Sequence, residues 1–203
     1  DCLMWVEVNG ESYYDESNGI LRSHTTLHRM HVPARILNEA KEYTICYRKM
    51  IERKPYFPET EEVVRHRFAF RPAEGDKIRL FHISDAHNRV ESPVQAAKAM
   101  GGNIDLLVLN GDIPDHSGKL ENFDAIYQIC AEITQGSIPC VFARGNHDMR
   151  GIFAEKIAEY TPVQDGRSYY TFQAGKLWGL VLDCGEDKDD GSTEYGNTIC
   201  CHA

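Results

Sequence analysis

From Lys77 onward the chain alternates short apolar runs with stretches of helical period. Ile78-Arg-Leu-Phe-His-Ile83 reads as a strand, Pro93–Met100 as a helix ended by Gly101-Gly102, and Asp105-Leu-Leu-Val-Leu109 as a second strand. Phe123, Ile126, Cys130 and Ile133 then recur at helical spacing through Lys119–Gln135, and Pro139-Cys-Val-Phe-Ala143 follows as a third buried strand. Strands alternating with helices in this order predict a parallel sheet. A further short helix precedes Ser168–Phe172 and Leu177–Leu182, which flank Ala174-Gly175-Lys176 and read as a hairpin, and the acidic segment from Gly185 to Ser192 reads as a loop.

Upstream the texture differs. Short β-like runs at Tyr43–Arg48 and Val63–Phe70 are broken by Pro33, Pro55, Pro58 and Pro72, with no long helical period. The polar stretch Arg71-Pro-Ala-Glu-Gly-Asp76 then gives way to apolar sequence, as at a domain boundary. The expected organisation is a small all-β, sandwich-like domain over residues 1–76 and an α/β domain over 77–203. There is no internal repeat.

Composition narrows the partners. With 22 basic and 31 acidic residues and a formal charge of -9, the surface repels nucleic acid unless a local patch or bound metal reverses its sign, so nucleic acid is disfavoured as a partner. No apolar run reaches the length of about 18 residues needed to span a bilayer, which argues against a membrane segment. Seven cysteines without a Cys-x-x-Cys pair read as mostly reduced, structural thiols. The chain begins at Asp1, which leaves room for a trimmed leader, and it has no Asn-x-Ser/Thr sequon. No compartment is assigned, the cytoplasm being slightly favoured.

The three strands each end in residue types that bind metals: Asp85-Ala-His87, Gly111-Asp112, and Gly145-Asn-His-Asp148. The carboxyl ends of parallel strands form the ligand crevice of an open α/β sheet, so these clusters should converge there. Carboxylate, imidazole and amide oxygen together suit Mn, Fe or Zn. Other polar residues have blander expectations. His24, His28 and His31 lie in an extended segment and read as ordinary surface or partly buried histidines. His82 is expected to be packed or hydrogen-bonded. His116 and Arg144 adjoin the clusters without an assigned role. Tyr13-Tyr14, Tyr169-Tyr170 and Trp178 are expected to serve the core and not a recognition surface, paired strand aromatics filling one core and one exposed position.

The ordered triplet Asp-x-His, Gly-Asp, Gly-Asn-His-Asp resembles the calcineurin-like metallophosphoesterase superfamily over roughly residues 78–184. That resemblance implies a layered α/β sandwich holding two divalent or trivalent ions. Asp85 and His87 would hold the first, Asp112 would bridge both, and Asn146 would bind the second. His147 would face a phosphate-ester substrate, with Asp115 and Asp148 as candidates to orient it. The implied chemistry is phosphoester hydrolysis by a hydroxide bridging the two ions, assisted by His147.

The later ligands of that pattern, a lone histidine and a Gly-His-x-His motif, have no counterpart here, the only histidine after His147 being His202. The expectation is therefore a truncated second sheet, an under-ligated second metal, and association through exposed sheet edges. Two alternatives stand beside phosphatase chemistry: a nuclease or cyclic-nucleotide phosphodiesterase of the same superfamily, and a non-catalytic binding or interaction fragment. Purple acid phosphatases share the two-part layout. Their tyrosine after the first cluster and in the second is replaced here by His87 and by no tyrosine, which disfavours a purple enzyme.

Overall fold

A computed structural model describes residues 1–183 together with 185 and 188. The expected acidic loop, apart from Gly185 and Lys188, and His202 lie outside the described residues. The chain divides into two compact units, Asp1–Arg71 and a second that begins at Pro72.

The first unit is β-rich. Strand β1 (Cys2–Val8) pairs antiparallel with β2 (Glu11–Tyr14) and with β5 (Glu42–Glu52), while β3 (Glu16–Ser17) and β4 (Ile20–Leu21) form a small separate ribbon. A seven-residue helix, α1 (Ala34–Ala40), follows Pro33, and Lys41 in the left-handed conformation ends it. Strands β6 (Glu59–Thr60) and β7 (Val64–Ala69) both pair antiparallel with β5. The expected strand at Tyr43–Arg48 is thus the middle of a longer one.

In the second unit, β8 (Leu80–Ile83), α2 (Glu91–Ala99), β9 (Leu106–Asn110), α3 (Asp124–Thr134) and β10 (Cys140–Ala143) build a parallel three-stranded sheet in the order β10-β9-β8. A single helical turn, α4 (Ile157–Tyr160), leads to the hairpin of β11 (Tyr170–Ala174) and β12 (Leu177–Val181). This is the expected mixed, layered α/β architecture.

Strand alternation explains the layers. On one face Ile83, Leu107, Leu109 and Phe142 pack with Phe123, Ile126 and Ile129 of the helical side, while on the other Leu106, Val141 and Ala143 pack with Ala174 and Val181 of the hairpin. Burying both faces of β9 removes Leu106, Leu107 and Leu109 almost completely from solvent. Each such side chain contributes about 1.5–3 kcal/mol of transfer free energy.

Two expectations are corrected. His82 is exposed, because it shares a face of the edge strand β8 with Leu80, itself 42% exposed, and period-two alternation does not say whether a face is covered. Trp178 is 65% exposed: it pairs with Gln173 on the hairpin face that points away from the sheet, next to Leu180. The Tyr169-Tyr170 pair divides as expected, with Tyr170 hydrogen-bonded to Phe142 of β10 and Tyr169 outside.

Candidate metal centre

The loops that follow β8, β9 and β10 meet at the carboxyl edge of the sheet. Backbone bonds zip the first two together: Asp85 N–H donates to Gly111 O (3.1 Å), His87 N–H to Asp112 O (3.0 Å) and Asn88 N–H to Ile113 O (2.9 Å). Asp85, His87, Asn88 and Asp112 all adopt positive φ, between 45° and 63°. Each such non-glycine residue costs of order 1 kcal/mol and persists only where its surroundings hold it.

The third loop packs by close backbone approach. A Cβ on Gly145 would lie 2.3 Å from Asp112 Oδ1, and one on Gly111 would lie 2.9 Å from the Gly145 Cα. Glycine in both clusters is thus a steric requirement of the converging loops. The Asp112 side chain accepts the His147 N–H at 2.9 Å, and a short helical turn carries His147 and Asp148.

Folding in this way brings His87, Asp112 and His147 together, one ligand atom of each lying within 4.8 Å of the others, all three residues half-buried. The two imidazole rings meet edge to face, 4.5 Å between centroids. Asp85 sits at the rim, 68% exposed, with Oδ1 3.9 Å from His87 Nε2. Asn146, half-buried, opens the turn and accepts Met149 N–H through its backbone oxygen. The His87 imidazole and the Asp112 carboxylate at this spacing, with the Asp85 carboxylate at the rim, fit a borderline divalent or trivalent cation, and the His147 ring stands beside them.

His147 is held on both sides. Its Nδ1 lies 2.7 Å from the Asp115 carbonyl and its Nε2 2.6 Å from an Arg150 guanidinium nitrogen. A carbonyl only accepts and a guanidinium only donates, so these partners assign the proton to Nδ1. Asp115 thus touches His147 through its backbone, while its carboxylate lies 3.3 Å from His87 Nδ1.

Asp148 makes different contacts. It is fully buried, and its Oδ2 accepts N–H bonds from Asp112 and Gly145, each at 2.8 Å, while Oδ1 has no hydrogen-bond partner among the described residues. Burial pushes its carboxyl up to about 7, against the two N–H bonds that pull it down. It therefore ties the second loop to the third. His116 and Arg144 are engaged locally: His116 Nδ1 accepts Gly118 N–H, and Arg144 pairs with Asp183. Burial would raise the Asp183 carboxyl, but hydrogen bonds from Ser168 and Gly185 and the nearby Arg144 outweigh it and hold the carboxyl low.

Sequence reasoning missed Arg150 and Asn88. Asn88 accepts Asp115 N–H and donates to Asn122, bracing the loop whose carbonyl holds His147. Neither lies inside a cluster, and only spatial proximity marks them.

A family model for calcineurin-like phosphoesterases matches residues 78–202. Among solved structures, a purple acid phosphatase isolated from yellow lupin (Lupinus luteus) seeds is similar in fold, with a TM-score of 0.52 at 12% identity, over 96% of this chain and 42% of that one. The likeness at that identity is one of fold alone. Comparison with curated proteins gives no match.

Proposed function

Because the chain belongs to the calcineurin-like phosphoesterase family, we propose that the crevice at the carboxyl edge of its parallel sheet is a two-metal site for hydrolysing phosphate esters. The observation that carries this reading is the convergence of His87, Asp112 and His147 from three loops. Asp85, His87 and Asp112 would hold one ion, with Asp112 and Asn146 reaching the second. Bound ions of this type supply a nucleophile at neutral pH and neutralise charge on the phosphoryl oxygens.

The chain's own residues do the rest. The Asp115 carbonyl fixes the His147 ring through Nδ1–H, so Nε2, which accepts from Arg150 here, is the atom that takes up a proton and passes it to a leaving oxygen once the guanidinium turns to the phosphoryl group. Arg150, beside that nitrogen, brings a guanidinium to the same position, where it can pair with a phosphoryl oxygen by charge-assisted bonds. Asp148 holds Asp112 and Gly145 in register.

The test is elemental analysis of the purified chain after incubation with manganese, with turnover of p-nitrophenyl phosphate and bis-p-nitrophenyl phosphate measured in parallel. Near two ions per chain with turnover supports the reading, and the preferred ester separates monoesterase from diesterase. Little metal and no turnover would favour the binding or interaction fragment. Association through the exposed hairpin face around Trp178 and Leu180 completes the proposal, and sedimentation over a range of concentrations tests it.

A further inference from the structure

Outside the metal centre, three residues of the first unit form a relay that ends in a thiol. Cys2 Sγ on β1 lies 3.3 Å from His28 Nε2, and His28 Nδ1 lies 2.7 Å from Asp15 Oδ2. The Asp15 and His28 side chains are 2% and 5% exposed, whereas Cys2 is half-buried, so the relay runs from the interior towards solvent. The other Asp15 oxygen faces Arg22 at 3.5 Å, which gives the buried carboxylate a counter-charge.

The direction of the hydrogen bonds follows from the donors available. Ionised Asp15 only accepts, so Nδ1 carries the ring proton and Nε2 turns its lone pair to the Cys2 thiol, which donates. A nucleophile touching a base, with the base oriented by a third group, is the geometry that activates a thiol. We propose that Cys2 is an activated nucleophilic thiol, a covalent modification site for low-molecular-weight disulfides, with His28 as its base and Asp15 as the positioning residue for that base. It is independent of the metal-centre reading.

The step balances as a thiol–disulfide exchange. Cys2 passes its proton to His28 Nε2 while its sulfur bonds to one sulfur of the incoming disulfide. The old S–S bond breaks, its electron pair leaves on the departing thiolate, and that thiolate takes the proton from the imidazole. Cys2 is oxidised to a mixed disulfide, and the disulfide co-reactant is reduced to one free thiol.

The experiment treats the whole chain with oxidised glutathione and follows each cysteine by peptide mass mapping, folded and in urea. Cys2 is expected to react at least roughly tenfold faster in the folded chain than in the unfolded one, while fully buried Cys46 stays unmodified and reports that the fold is intact. His28→Gln should slow Cys2 roughly tenfold or more, and Asp15→Asn should slow it less, with Cys46 still protected. Folded Cys2 reacting no faster than unfolded Cys2 overturns the proposal. A wild-type rate in His28→Gln with Cys46 protected overturns it as well. If Cys46 becomes reactive in both variants, the folded-against-unfolded comparison of the parent chain decides alone.

Discussion

Asp148→Asn gives the most quantitative check on how the loops are held. The carboxyl is fully buried and pushed up to about 7, against 3.8 for an ordinary aspartate. A raised folded-state value means that the group favours the fold most at low pH, below 3.8, where both states carry the proton. That contribution is lost as pH rises, because the unfolded chain ionises first, and the loss is complete above about 7. The gap corresponds to roughly 4 kcal/mol at about 1.36 kcal/mol per unit.

An asparagine keeps an oxygen for the Asp112 and Gly145 N–H groups but puts an amide NH2 where Oδ1 has no partner. That adds a pH-independent cost of about 1–3 kcal/mol. With a chelator present, urea unfolding by circular dichroism should find the variant less stable than the parent at pH 4. The difference should shrink as pH rises and reverse between about pH 4.5 and 6, leaving the variant the more stable by about 1–3 kcal/mol at pH 8. A difference that stays level from pH 4 to 8 would refute the buried, raised carboxyl.

Asp112→Asn should abolish metal retention and lower phosphoesterase turnover by more than the roughly 10–100-fold that loss of an outer partner costs, with the thermal midpoint little changed because Asn Oδ1 still accepts the His147 N–H; elemental analysis and a turnover assay check this. Gly145→Ala places a methyl 2.3 Å from Asp112 Oδ1, so metal affinity should fall at least about tenfold and stability by about 1–3 kcal/mol, read by metal titration and urea unfolding. Phe123→Ala empties a fully buried position between α3 and the sheet and should cost about 3–5 kcal/mol in urea unfolding without altering the loop donors.

The strands and helices of the second unit were legible because their apolar periods are clean. The Leu106–Leu109 run even carries its double-sided burial in its lack of polar positions. That the three clusters meet was legible because a parallel sheet puts strand ends at one edge. Coverage was not legible: nothing local distinguishes the outer face of the hairpin, where Trp178 sits, from the inner one. Contacts that no motif spells out were equally hidden. Arg150 on His147 lies just past a cluster, while Cys2, Asp15 and His28 are separated by 13 residues each way and meet only once the first unit has folded. Helix α1 escaped notice because seven residues are too few to show a period.

Asp112 is bonded to both neighbouring loops at once. Its carbonyl accepts from His87, its N–H donates to Asp148, and its carboxylate accepts from His147. The entropy of gathering these side chains is therefore lost during folding, and if they hold an ion as proposed, little ordering is left for ion capture. On that reading an ion would be chosen by how well its radius suits a fixed spacing, and a shift in any one loop would be felt across the whole crevice.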